Sequence, residues 1–250
     1  MTLQGGANIL DDAAAMARAD GAGMLGLVAE LPNQLSEGWR LSQELELRWG
    51  TPRSVAILGV GGSAIGGDLL KAVWADRISV PVEILRGYDL PAWVGPETLV
   101  IASSRSGDTE ETLRQLETAL ARRCPVVCIT GGGALRNVAQ AARLPLISLP
   151  DTGMPRASLG YSLGALAGVL QRAGVLELDD TEIEGAVSHA SAAVAACAPD
   201  VPTAENPAKQ LAWSLVDRVI LVSGSGYLAP VARRWKVQLN QNGKATAIFE

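Results

Sequence analysis

Five short, almost wholly apolar runs constrain this chain more than any other feature. VAILG (55–59), VEIL (82–85), TLVIA (98–102), VVCIT (126–130) and LPLISL (144–149) alternate with stretches of helical spacing such as 63–75, 109–121 and 134–142. Strands that lack polar alternation must be covered on both faces, and right-handed strand-helix-strand crossovers supply that cover. The expected fold is α/β, a doubly wound five-stranded parallel sheet.

The flanks read differently. From about Ala7 to Trp49 apolar residues recur at three-to-four spacing in LGLVAELPNQL and WRLSQELELRW, with Pro32 marking a break, so residues 1–50 are expected to form a helical N-terminal extension. RASLGYSLGALAGVLQRAG (156–174) is a Gly- and Ala-rich helix able to pack closely, and 182–198 is another. Beyond Pro202 a helix, the run DRVILVSGSG, a helix over 227–242 and ATAIFE repeat the strand, Gly/Ser turn and helix of VAILGVGGSAIGGDLLKAV. This is an internal repeat opening a second sheet. Two strands are too few for an independent open sheet, so the second unit is expected to be incomplete, completed by further sequence or another chain.

Composition excludes several classes. Lys and Arg number 21 against 26 acids, a net charge of -5, which gives no basic excess for nucleic acid or an anionic membrane. The acidic opening and the lack of a long apolar run predict neither a secretory signal nor a membrane span, hence a cytoplasmic location. Cys124 and Cys128 fall on one side of a strand as core thiols, and His189 as the single histidine excludes two-histidine zinc sites. No metal site is expected.

Two loops can carry chemistry. GVGGSAIGGD (59–68) joins a buried strand to a helix, where glycines let the backbone approach a ligand and free helix amides attract an anion. A dinucleotide site would need an acid ending the second strand, and Arg86 stands there instead. SSRSGDTEET (103–112) presents Ser103, Ser104, Ser106 and Thr109 with Gly107 at the start of another helix, a loop that can clamp a phosphate without a positive charge. The plainer alternatives are a tight turn for the first loop and a Ser/Asp helix cap for the second. Both loops follow parallel strands at the carboxyl edge, where open α/β sheets hold ligands.

GVGGSAIGGDLL and SSRSGDTEETL, followed in order by MPRASLGY (154–161), ENPAKQLAW (205–213) and RRWKVQLNQNGKATA (233–247), resemble the sugar isomerase (SIS) domain and, more narrowly, the bifunctional phosphoglucose/phosphomannose isomerase family. The resemblance implies a flavodoxin-like SIS subdomain over 51–175, a helical connector over 176–202 and the start of a second SIS subdomain over 203–250. It also implies a homodimer with interfacial sites, a hexose 6-phosphate as ligand, no cofactor, and aldose-ketose interconversion. By the same resemblance Gly61, Gly62 and Ser63 wall the sugar-phosphate site and Ser104, Ser106 and Thr109 clamp the phosphate. Arg156 is then the cation beside the reacting carbons, since an enediolate passes negative charge onto its oxygens.

The resemblance departs at the base. The family carries a glutamate where this chain has Gln241, between Asn240 and Asn242, and a primary amide takes up no proton near neutral pH. The family's ring-opening histidine falls past Glu250, and His189 belongs to the connector. Glu205 reads as a helix-start acid, Asp108 and Glu111 as first-turn acids, and Lys209, Lys236 and Lys244 as exposed helix charges. Two readings follow, a hexose 6-phosphate binder of this isomerase family with impaired turnover, and a non-catalytic sugar-phosphate sensor or dimerisation scaffold.

Overall fold

A computed structural model describes residues 8–151 and 153–250. The five runs become β1 (Ser54–Leu58), β2 (Val82–Leu85), β3 (Thr98–Ser104), β4 (Val126–Thr130) and β5 (Leu146–Ser148). They form one parallel sheet in the order β2-β1-β3-β4-β5, the flavodoxin-like order. The helices are α1 (Ala13–Ala19), α2 (Met24–Ala29), α3 (Leu31–Gln43), α4 (Gly62–Val73), α5 (Glu110–Ala121), α6 (Gly133–Ala141), α7 (Leu159–Arg172), α8 (Asp180–Ala196), α9 (Pro207–Leu215) and α10 (Ala229–Gln241).

Strand periodicity sorts the core into two layers. Val55, Ile57, Leu99, Ile101, Val127 and Ile129 point to one face, where Leu70 of α4 and Leu166 and Leu170 of α7 cover them. Ala56, Leu58, Val100, Ala102, Val126 and Cys128 point to the other, beneath Leu116 and Ala119 of α5 and Leu135 and Ala139 of α6. Cys124 and Cys128 are both buried in this second layer as free thiols, and burial pushes the Cys128 thiol up to about 12. Outside the first layer, α3 lies against α7. At Gly164 an added Cβ would stand 2.2 Å from the Leu35 carbonyl oxygen, so only glycine lets these two backbones approach so closely.

Several sequence expectations need correction. The N-terminal helical run ends at Gln43 rather than Trp49. Leu45, Leu47 and Trp49 alternate with Glu46 and Arg48, and this period of two places them inward along extended chain. Ala7 lies outside the described residues. β3 runs on through Ser103 and Ser104, which are strand rather than loop. Among the described residues, 86–97 hold no helix between β2 and β3, and Leu90 and Val94 from that segment seal the second layer.

The second unit is a parallel pair, β6 (Ile220–Val222) and β7 (Ala247–Phe249), joined through α10. Its strands leave Leu221 and Ile248 exposed. Asn206, not Glu205, caps α9, accepting the Ala208 and Lys209 amides at 3.0 Å each, so Glu205 precedes the helix. Lys209 is buried rather than exposed, donating to the Pro199 and Val201 carbonyls at 2.7 Å each and pairing with Asp11 at 3.3 Å. A buried ammonium needs such partners to offset its lost hydration. No described helix is long and apolar enough to cross a membrane.

Candidate active site

The chain leaves β1 towards β2 on one side and returns to β3 on the other, so the crevice outside the carboxyl ends of β1 and β3 is the topological switch point of the sheet. The loop after β1 turns through Gly61 at φ +55°, ψ -120°, a conformation that excludes a side chain. Among the described residues no side chain caps the α4 N-terminus that follows, which leaves an anion-attracting end facing the crevice. Ser63 is buried, and its Oγ accepts the Arg105 amide at 3.3 Å, joining the first loop to the second.

The second loop is held by its own hydroxyls. Ser104 Oγ and Thr109 Oγ1 are 2.8 Å apart, the Gly107 amide donates to Ser104 Oγ at 3.1 Å, and the Asp108 amide donates to Ser106 Oγ at 3.3 Å. Asp108 spends its carboxylate on α6, accepting from the Ala134 amide at 2.9 Å, and Thr109 at the start of α5 makes no side-chain cap bond. None of the three hydroxyls caps α5: Ser104 and Ser106 accept loop amides, and Ser104 and Thr109 bond each other. Gly107, at φ +82°, lies so close to the next loop that a Cβ would stand 1.8 Å from the Gly132 oxygen.

Gly61, Gly62, Arg156 and Gln241 meet in one cavity of about 590 Å³ between the first sheet's loops and α10. Arg156 sits in a 3-10 turn, Pro155–Ala157, and donates through Nε to Asn242 Oδ1 at 2.7 Å. Its carbonyl accepts from Arg234, whose burial lowers the pKa of the guanidinium. Lys244 reaches the Gln241 carbonyl with Nζ at 2.7 Å. Asp68 of α4 accepts from Arg86, at the end of β2, and lies 3.6 Å from Arg233 of α10, whose guanidinium covers the Phe249 ring at 5.7 Å. Among the described lining residues, Arg86, Arg156, Arg233, Arg234 and Lys244 face Asp68 as the one carboxylate. That is a strongly electropositive cleft on a chain of net charge -5.

Not every expected residue enters this cavity. Ser106 lines a smaller neighbouring space of about 220 Å³ with Arg105, Gly131 and Gly132, and Pro155 borders both. Ser63 and Ser104 are buried behind the loops and shape them, and Thr109, bonded to Ser104, is half-buried at the start of α5 and lines neither space. His189 is exposed on α8, its Nδ1 2.7 Å from the Gly185 carbonyl oxygen, and borders neither space. Sequence reasoning did not assign Asp68, Arg86, Arg233 or Arg234 to the site. Its available signals were the acid closing GVGGSAIGGD and the paired arginines opening RRWKVQLNQNGK.

Residues 204–250 match the family model for the bacterial phospho-glucose isomerase C-terminal SIS domain. A bifunctional phosphoglucose/phosphomannose isomerase of Caldicellulosiruptor bescii is 37% identical over 225 residues, covering 89% of this chain and 66% of the relative. One from Aquifex aeolicus is 30% identical over 199 residues, covering 79% and 58%. The chain thus spans just under two thirds of the first relative's length and less of the second's. Among solved structures, a hypothetical protein from Thermus thermophilus superposes with a TM-score of 0.70 over 94% of this chain and 61% of its own, at 22% identity. Sheet order, the family model and this superposition define the class of α/β proteins with the SIS fold. Within that class, the chain belongs to the bifunctional phosphoglucose/phosphomannose isomerase family.

Proposed function

We propose that this chain binds a hexose 6-phosphate in the cleft between the carboxyl ends of β1 and β3 and helix α10. The observation that carries the reading is the convergence of five cationic side chains and an uncapped helix N-terminus on one cavity of about 590 Å³. An anionic sugar phosphate is favoured there by charge-assisted hydrogen bonds and by the partial positive charge of the helix end, with its phosphate reaching past Pro155 into the adjoining space lined by Ser106. Gly61 and Gly62 let the sugar approach the backbone, Ser106 and Thr109 take phosphate oxygens, and Ser104 holds Thr109 in place from below. Arg156, fixed by Asn242, stabilises charge that develops on the sugar's first two oxygens.

Gln241 lines the cleft where the isomerisation needs a base, and its amide takes up no proton. That residue favours ligand binding with impaired turnover, and it equally suits a non-catalytic sugar-phosphate sensor. Both readings require the ligand. A partner completing the β6-β7 unit, including a second copy of this chain, belongs to the same proposal, and so do the boundaries of two SIS subdomains.

Thermal unfolding in the presence of glucose 6-phosphate, fructose 6-phosphate and NAD tests the reading. A ligand at about 100 times its Kd stabilises the native state by about 2.7 kcal/mol. The hexose phosphates are expected to raise the midpoint and NAD to leave it unchanged. No shift with either hexose phosphate would leave a shared fold without the ligand.

A further inference from the structure

Arg105 stands in the middle of SSRSGDTEET, and its side chain is only 10% exposed. A guanidinium withdrawn from water is costly unless its donors are satisfied, and here burial lowers its pKa. Its bonds reach several segments. Its amide donates to Ser63 Oγ at 3.3 Å, on the loop after β1. Its carbonyl accepts the Gly131 amide at 3.1 Å, on the loop after β4. Its Nε donates to Ser158 Oγ at 3.1 Å, its Nη2 donates to the Pro150 carbonyl, and Asp151 lies 3.6 Å away. Ser158 and Pro150 flank the turn that carries Arg156. Gly131 admits the guanidinium, since a Cβ there would lie 2.0 Å from Nη1.

We propose that Arg105 is a positioning residue that locks the Ser63 loop, the Ser104–Thr109 loop and the Arg156 turn into one rigid site. The bonds named above run to protein carbonyl, hydroxyl and carboxylate groups, which makes Arg105 a brace between these segments at the edge of the small space lined by Ser106. The planar fork explains why arginine serves here. Nε and Nη2 address Ser158 and Pro150 in two fixed directions, a task that the point charge of lysine does not perform. The same contacts set the distance between the hydroxyls proposed to hold phosphate and the cation proposed to meet the sugar, and this part of the inference rests on the hexose 6-phosphate reading.

The test compares the full chain with Arg105→Ala and Arg105→Lys by amide hydrogen exchange and by glucose 6-phosphate titration. The Ala157 and Ser158 amides, bonded to Met154 and Pro155 within the 3-10 turn, are expected to exchange at least about tenfold faster in both variants, while Ile57 and Ile129 in the core keep their protection. Ligand affinity is expected to fall roughly tenfold to a hundredfold in Arg105→Ala and less in Arg105→Lys. Uniform loss of protection across the sheet would mark Arg105 as a general fold residue and overturn the proposal. So would unchanged exchange at Ala157 and Ser158, or faster exchange with unaltered affinity. If Arg105→Ala does not fold, Arg105→Lys carries both readouts. If the unmodified chain fails to bind, the sugar-phosphate reading falls, while the exchange data still decide whether Arg105 holds the turn.

Discussion

Gln241→Glu is expected to raise fructose 6-phosphate to glucose 6-phosphate turnover by roughly 10² to 10⁴, the span that a positioned general base contributes. The proton moving between the sugar's first two carbons must rest on a group that binds it reversibly near neutral pH. Gln241 faces the cleft from the end of α10 and offers an amide, whose carbonyl and NH₂ bind the sugar's hydroxyls but take no proton. A carboxylate at the same place would be surrounded by Arg156, Arg233, Arg234 and Lys244, and that many cations favour the ionised form. A coupled assay on both proteins at equal concentration reads the gain. Equal rates in the two would show that the reacting carbons do not pass beside residue 241.

The double variant Ser106→Ala, Thr109→Ala is expected to weaken glucose 6-phosphate binding by roughly a hundredfold or more, since each hydroxyl bonded to a charged oxygen contributes about 1.5–3 kcal/mol. These two are chosen because Ser106 is exposed beside the crevice and Thr109 is partly so, whereas Ser104 is buried beneath them. Removing Ser104 would also orphan the Gly107 amide and confound loop geometry with ligand contact. Isothermal titration with glucose and with glucose 6-phosphate separates the two effects. The variant is expected to lose the preference for the phosphorylated sugar. A retained preference would move the phosphate away from this loop, towards the arginines of the larger cavity.

Much of the fold was legible because its cause is local. The runs at β1, β3 and β4 carry no polar break, so a doubly covered parallel sheet is the one arrangement that buries them. The Gly and Ser loops declared themselves because backbone freedom and hydroxyl density are written in adjacent residues. What stayed hidden depends on contacts between distant segments. Asp68 and Arg86 are 18 residues apart, and Arg233 comes from another unit, so their joining at one cleft has no periodic signature. Lys209 looked like a surface charge because the carbonyls that hold it come from the turn before α9. The stretch after Gln43 fits helical spacing too, since Leu45, Leu47 and Trp49 satisfy two periods over so few residues, and packing selects the extended one. A loop of hydroxyls can hold phosphate unaided, so nothing in its sequence singles out Arg105, and only the three-dimensional placement shows what its guanidinium braces.

The proposed function stands on one ligand touching both the first sheet's loops and α10. Amide chemical-shift mapping during a glucose 6-phosphate titration of the full chain tests it most directly. Gly61, Gly62 and Ser63, the loop from Ser106 to Thr109, and residues 233–244 are expected to shift together along one saturable curve. Shifts confined to either side of the cleft, or none at a saturating concentration, would contradict it.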